Sequence, residues 1–173
     1  MFVSALTTRS GHLAARLLKI KPLAGAWRVE VEGALDVDGR LWLPGTGRVR
    51  IGRGVRFVGR RAPVELRAHE GGEIVVEDGA VIEDGTSIES TRSVRIGARA
   101  RIGPFCKIID NHFHSAVGDR FVRPDSEPVV IGADAVLGPR AVVLPGGEMG
   151  AGATLGAGCV LSFRLAAGTN LAK

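Results

Sequence analysis

Tyrosine is absent from the 173-residue sequence, and aromatic residues make up only 5% of it. A conventional globular core uses more aromatic residues than this, whereas a hydrophobic content of 45% is too high for a disordered chain. Glycine, in contrast, occurs 25 times, without the strict three-residue period of collagen. This composition favours one domain of repetitive β-structure with many tight turns.

Cysteine is also scarce. Cys106 and Cys159 lie far apart in the sequence and form no C-x-x-C motif, which disfavours a disulfide framework and predicts a cytoplasmic protein. No apolar run is long enough for a transmembrane segment. A signal peptide is disfavoured because four basic residues interrupt the first apolar stretch: Arg9, His12, Arg16 and Lys19.

Residues 1–30 are interpreted as a leading segment that contains a short amphipathic helix. Leu13, Leu17 and Ile20 would share one face of that helix. Packing of this face against the body of the protein or a partner subunit is preferred, and contact with a membrane surface is the alternative.

The net charge is +5, which suits an anionic ligand. Nucleic-acid binding is disfavoured, because the basic residues are spread along the chain without a basic helix, an RNA-binding aromatic motif or zinc-finger spacing.

A six-residue repeat is the strongest pattern in the sequence. Bulky apolar residues recur every six positions in four runs, and glycine often follows them, as in IGADAV and LGPRAV. The repeating residues are Ile51 and Phe57; Val76, Ile82 and Ile88; Ile96, Ile102 and Ile108; and Ile131, Leu137, Val143, Met149, Leu155 and Leu161.

Because six is an even number, a strand with this period keeps the same face inward from one hexad to the next. The pattern therefore predicts an all-β parallel β-helix over residues 31–166, followed by a C-terminal tail at 167–173. The small residue four positions after each bulky one, such as Ala135 or Thr86, would fill the interior. Cys106 and Cys159 occupy this position, so both are predicted to be structural. A β-sandwich, the main rival, would show less regular spacing.

The repeat breaks once within its clearest part, at residues 109–130. This stretch, IDNHFHSAVGDRFVRPDSEP with its flanks, is polar and contains His112 and His114. Long irregular loops on rigid scaffolds are commonly functional, so the loop is the predicted catalytic segment.

Residues 45–166 resemble the hexapeptide-repeat acyltransferases, and sugar and polysaccharide O-acetyltransferases most of all. The resemblance is strongest in VRIGARARIGPFCKI, the histidine loop and the hexads from PVVIGADAVLG to LGAGCVL. It implies a left-handed β-helix. Two features depart from the family pattern: Val136 stands where a tryptophan is usual before Leu137-Gly138, and the chain ends in LAAGTNLAK rather than in the usual G-N-P-A-K segment.

The resemblance also implies an active site. The family places a histidine in motifs such as D-x-D-x-H, which here selects His114 in DNHFH, while an N-H motif would select His112; His114 is preferred. A neutral imidazole can remove the proton of an acceptor hydroxyl as it attacks a thioester. Asp110 would orient a histidine or cap a turn, and Arg120 and Arg123 would bind an anionic acceptor or lie in solvent.

Acetyl-CoA is the implied co-substrate, bound between the subunits of a homotrimer, with no metal expected. Mapping the family's contacts residue by residue gives Pro139, Ala157, Ser162 and Arg164, the last for a CoA phosphate. The implied acceptor is a small molecule or glycan with a free hydroxyl.

Two other functions fit the same fold. A metal-dependent hydratase of the γ-carbonic-anhydrase kind needs three histidines, and His69 would have to join His112 and His114. A β-helix scaffold without catalytic activity is the third hypothesis.

Overall fold

The computed structural model describes residues 28–172, except residues 116 and 120. The predicted helix in residues 1–30 and Arg120 therefore lie outside the described residues. The described part contains strands, turns and loops, and no helix. Its strands are β1 Val29–Val31, β2 Asp36–Trp42, β3 Arg48–Ile51, β4 Arg56–Ala68, β5 Glu73–Val76, β6 Val81–Ile82, β7 Ser87–Ser90, β8 Ser93–Ile96, β9 Arg101–Ile102, β10 Lys107–Ile109, β11 Val129–Ile131, β12 Val136–Leu137, β13 Val142–Val143, β14 Glu148–Met149, β15 Thr154–Leu155, β16 Val160–Leu161, β17 Arg164–Leu165 and β18 Asn170–Leu171.

Each strand pairs in parallel with the equivalent strand of the next coil. One sheet has seven strands, in the order β1-β3-β5-β8-β11-β14-β17. The other contains β16-β13-β10-β7-β4 and β4-β6-β9-β12-β15-β18, with β2 also pairing with β4. The long strand β4 belongs to both runs, so these two runs form two faces of the coil and the seven-stranded sheet forms the third. The three faces meet at three corners. The predicted parallel β-helix is confirmed, and its left-handed sense stays a prediction.

The core is the column of residues that the hexads predict. Bulky hexad residues of successive coils lie side by side, as in the register Ile88↔Ile108 and Ile108↔Val143. All fourteen bulky hexad residues are at most 1% exposed. The small positions are also filled as expected: Thr86, Ala135, Ala141 and Ala153 are fully buried, and Cys106 and Cys159 are 2% and 4% exposed.

Two of the corners are tight turns that stack on one another. Each turn donates a backbone N–H to the carbonyl of the turn below, as from Arg140 to Pro104 and from Gly158 to Pro139, both 2.9 Å. These turns need a positive φ, and Asp134 and Arg140 adopt it at 58° and 59°. Repetition of this geometry keeps the coils in register.

The third corner is the irregular one. Ile88 and Ile96 are two residues further apart than a hexad, and Ile108 and Ile131 are separated by the long loop. The extra residues lie at the same corner. Backbone hydrogen bonds connect the successive turns of this corner: the His69 N–H donates to the Ser90 carbonyl, and the Gly146 N–H donates to the Glu127 carbonyl. The hexad runs restart in the sequence because this corner varies in length.

The strands extend close to the C-terminus. β18, at Asn170–Leu171, pairs with Thr154–Leu155 of β15. The β-helix therefore continues into the segment from residue 167 that was predicted to be a C-terminal tail. At the other end, β1 begins at Val29 and pairs with Val49–Ile51 of β3.

Candidate active site

The histidine loop leaves the third corner between β10 and β11 and spans residues 110–128, one or two residues inside the predicted 109–130. Its two ends meet, because Glu127 donates its backbone N–H to the Asp110 carbonyl at 2.9 Å. The loop therefore returns to the point where it leaves the coil, and the strands on either side of it keep their pairing with the preceding and the following coils.

Asp110 fixes the start of the loop to the preceding coil. Its fully buried carboxylate accepts five hydrogen bonds of 2.7–3.0 Å from Ser90–Ser93. Three donors are backbone N–H groups and two are hydroxyls. In the described part of the chain its carboxylate hydrogen bonds all go to this turn. Of the two roles predicted for Asp110, the structure thus shows the turn cap.

Asn111 ties the two sides of the loop together. This side chain is fully buried, and its Nδ2 donates to the Pro124 carbonyl at 2.7 Å and to Ser126 Oγ at 3.1 Å. Its Oδ1 accepts the Phe113 backbone N–H at 2.6 Å. Asn111 was not predicted to be a site residue, although the N-H motif contains it.

Ser126 connects the far side of the loop to the same turn that Asp110 caps. Its hydroxyl lies 2.6 Å from Thr91 Oγ1, and its carbonyl accepts a hydrogen bond from Arg92 Nη1 at 3.1 Å. Both sides of the loop are thus anchored to residues 91–92, so the rigid coil supports the loop at its base.

His112 and His114 are both exposed and both line one surface pocket. Ser115, Val117 and Pro124 complete its lining. Phe113, between the two histidines, has a positive φ of 64°. The structure therefore brings the two predicted base candidates to a single site, and it gives both of them access to a substrate.

Phe113 points back to the coil and makes two ring contacts. The His69 ring lies with its centroid 5.2 Å from the Phe113 centroid, at an interplanar angle of 55°. Cζ of Arg123 lies 5.5 Å from the same centroid. Arg123, predicted to bind an acceptor or lie in solvent, packs on Phe113 by a cation–π contact.

His69 follows β4 and has no recognisable motif around it in the sequence. Its Nε2 is buried and has no hydrogen-bond partner among the described residues. Oε2 of Glu89 lies 3.5 Å from this nitrogen, too far for a well-formed hydrogen bond. The sequence held no signal for this contact, since it depends on which outward residues of separate coils meet.

Glu89 is the centre of a small charged cluster on this face. It forms an ion pair with Lys107, which also donates to Ser87 Oγ at 3.1 Å. Burial of the Glu89 carboxyl acts to raise its pKa, but Lys107 and the nearby His69 and Arg67 outweigh this effect. The pKa of Glu89 is therefore lower than the ordinary value.

The four residues predicted to contact CoA lie at two corners and one strand. Exposed Pro139 and Ala157 are stacked on successive coils. Ser162 is exposed at the third corner, where Leu144 donates its backbone N–H to Leu161. Arg164 is exposed in β17, with Nε 3.4 Å from Glu148 Oε1.

A metal centre would need at least three suitable side chains close together. Within residues 28–172, leaving aside 116 and 120, no group of three His, Cys, Asp or Glu side chains is arranged to hold a metal ion. His69 does approach the loop, but it contacts the ring of Phe113. In the same residues, no helix is long and apolar enough to span a membrane.

The six-residue spacing and the strand pairing define the chain as a parallel β-helix protein of the hexapeptide-repeat type. Neither the protein-family models nor the curated proteins match the sequence. Among solved structures, a hexapeptide transferase family protein from Anaplasma phagocytophilum is 22% identical. It aligns over 84% of this chain and 80% of its own, with a TM-score of 0.36.

The polySia-specific acetyltransferase NeuO is a second similar structure, 14% identical over 81% of this chain and 80% of its own, with a TM-score of 0.38. By their names, both proteins are transferases. The parallel pairing of strands in successive coils defines the fold directly.

Proposed function

We propose that this chain is an acyl-CoA-dependent O-acyltransferase that transfers an acetyl group to a hydroxyl of a sugar or glycoconjugate. The observation that carries the proposal is the closed loop at residues 110–128, which presents His112 and His114 in one pocket. The loop is anchored by two fully buried polar residues, Asp110 and Asn111. Buried, hydrogen-bonded polar groups fix the shape of the loop, as expected where that shape matters for function.

His114 is the preferred general base and His112 the alternative. The base takes the proton of the acceptor hydroxyl as its oxygen attacks the thioester carbonyl. A C–O bond forms, the C–S bond then breaks, and the imidazolium returns the proton to the sulfur of CoA. A backbone N–H of a nearby turn would stabilise the tetrahedral oxyanion. No covalent enzyme intermediate is required.

Asp110 and Asn111 act in this mechanism by holding the loop. Since the Asp110 carboxylate is fully engaged by Ser90–Ser93, it supports the position of the loop rather than the tautomer of a histidine. Arg123 is engaged with Phe113, so a role in acceptor binding requires it to leave that ring.

The predicted CoA contacts fit an extended, largely apolar arm. Pro139 and Ala157 offer a small-residue wall along two coils, and Ser162 lies at the loop's own corner. Arg164 would bind a phosphate by exchanging its exposed ion pair with Glu148, which costs little because such pairs are weak.

Apolar residues on the surface support assembly into a homotrimer. In the loop, Phe121 and Val122 are 90% and 60% exposed, and near the C-terminal end Val160 and Phe163 are both 52% exposed. Burial of such groups at a subunit interface would remove them from water, and the acyl-CoA cleft would then lie between subunits. Sedimentation of the purified protein at three times the chain mass is the expected result.

The test of the proposed activity is acceptor-dependent release of CoA thiol from acetyl-CoA, measured with a panel of sugars and oligosaccharides. We expect at least one hydroxyl acceptor to raise release well above hydrolysis by water. Failure of every acceptor, together with no heat of acetyl-CoA binding at millimolar concentration, would contradict the proposal and favour a scaffold. Hydration of CO2 by protein that contains stoichiometric metal would favour the hydratase instead.

A further inference from the structure

The side chain of His69 links the body of the coil to the centre of the histidine loop. It lies on the outer surface at the end of β4, in the coil that precedes the turn capped by Asp110. Its ring packs against Phe113, which separates His112 from His114 in the sequence. The contact therefore joins a residue on the rigid scaffold to the middle of the predicted catalytic segment.

Phe113 is held from several directions. Its backbone N–H donates to Asn111 Oδ1 at 2.6 Å, and its φ of 64° lies in the left-handed region that a phenylalanine rarely occupies. His69 and Arg123 contact its ring. Since the backbone on both sides of Phe113 carries a histidine, the position of this ring sets the direction in which His112 and His114 leave the loop.

The scaffold holds His69 in turn. The ring nitrogen Nε2 is buried beside Glu89, at 3.5 Å, and Glu89 forms an ion pair with Lys107 on the next coil. Strands β4, β7 and β10, which precede or carry these residues, pair in a continuous ladder. Lys107, Glu89 and His69 thus form a chain of contacts that runs along the outer face of the sheet to the loop.

We infer that His69 is a positioning residue for the transfer reaction: held beside Glu89, its ring supports Phe113 and so orients the histidine that acts as the base. This inference rests on the proposed function. His69 holds its Nε2 buried beside Glu89 and has no direct part in the transfer. It acts through Phe113.

A matched set of variants separates this role from a general effect on the fold. His69→Ala removes the ring, and His69→Phe keeps an aromatic ring of similar size against Phe113. Glu65→Ala is the control, since Glu65 lies on the outward face of β4, the strand that His69 follows, but pairs with Arg67. Small displacements of a catalytic group reduce turnover strongly.

With acetyl-CoA and an active acceptor, we expect His69→Ala to lower kcat by about 10- to 100-fold while the KM for acetyl-CoA changes less than about twofold. His69→Phe should recover most of the lost kcat, and Glu65→Ala should resemble the unmodified protein. An unchanged kcat in His69→Ala would overturn the inference, as would an equal loss of kcat in Glu65→Ala.

Hydrogen exchange tests the same inference without any activity. The amide of Phe113 should exchange at least about tenfold faster in His69→Ala than in the unmodified protein or in Glu65→Ala, because the ring that holds Phe113 is gone. Equal exchange in all three would overturn the positioning role even if transfer is observed. If no acceptor supports transfer and the exchange still differs, the proposed function fails while the structural link between His69 and Phe113 holds.

Discussion

The side-chain nitrogen of Asn111 donates a hydrogen bond to the Pro124 carbonyl at 2.7 Å, across the base of the histidine loop. This bond joins the start of the loop, after β10, to the part of the loop near its end that contains Pro124. Because Asn111 is fully buried, its side-chain amide depends on partners within the protein for its hydrogen bonds.

Replacement of Asn111 should therefore loosen the loop. In Asn111→Ala, the Pro124 carbonyl and the Phe113 N–H lose their partner, and we expect the free energy of unfolding to fall by about 2 kcal/mol. We also expect kcat to fall by a larger factor than the loss of folded protein accounts for, because the loop carries both candidate bases. Urea unfolding and acceptor-dependent thiol release measure the two effects. Full activity in this variant would contradict the role of Asn111 in holding the loop in place.

Asp110 gives a second test of the loop's foundation. Asp110→Asn places an NH2 group or a neutral oxygen against five donors, and we expect a loss of about 3 kcal/mol in the free energy of unfolding. Asp78→Asn is the control: Asp78 accepts the Arg53 N–H at a tight corner but is half-exposed. Its loss should be about 1 kcal/mol or less. Equal losses would show that burial of Asp110 is unimportant.

The lowered pKa of Glu89 predicts a dependence of stability on pH. A carboxyl whose pKa is lower in the folded than in the unfolded state stabilises the fold above its ordinary pKa, near 4.5. This contribution is lost as the pH falls through the folded-state pKa. The difference in unfolding free energy between the unmodified protein and Glu89→Gln should be largest at neutral pH and shrink below about pH 4.5.

The exposed Glu70→Gln variant serves as the control for that titration. It should follow the unmodified protein at every pH. A difference for Glu89→Gln that stays constant from neutral pH to about pH 3 would show that the ion pair with Lys107 does not stabilise the charged carboxyl.

The two cysteines should be inert in the folded protein. Burial raises the pKa of the Cys106 thiol to about 11, although backbone hydrogen bonds from Ala141 and Arg140 oppose the shift. Cys159 is also buried. We expect neither thiol to react with a disulfide reagent within minutes at pH 8, and both to react after denaturation. Rapid reaction of one thiol in the native protein would contradict the structural role predicted from the hexad pattern.

The sequence predicted the inward half of this protein well. A six-residue period indicates directly which residues face the interior, so it predicts that Ile102, Leu137 and Cys159 lie in the core. The loop was found for the same reason, since Ile108 and Ile131 mark where the period stops and resumes.

The contacts between outward-facing side chains could not be predicted in this way. Which side chains of separate coils meet depends on the length of each coil, and the third corner varies in length. The contact of His69 with Phe113 and the capping of Ser90–Ser93 by Asp110 both follow from this coil-to-coil register. A histidine without a surrounding motif gives no sign of such a neighbour.

The proposed reaction depends on a loop histidine that acts as the general base. The most direct measurement is kcat for acceptor-dependent thiol release by His114→Ala, His112→Ala and the double variant, with unfolding curves as the check on folding. We expect His114→Ala and the double variant to lose about 100- to 10,000-fold in kcat while their unfolding midpoints stay unchanged, and His112→Ala to lose far less. Turnover by a folded double variant at the rate of the unmodified protein would contradict the account.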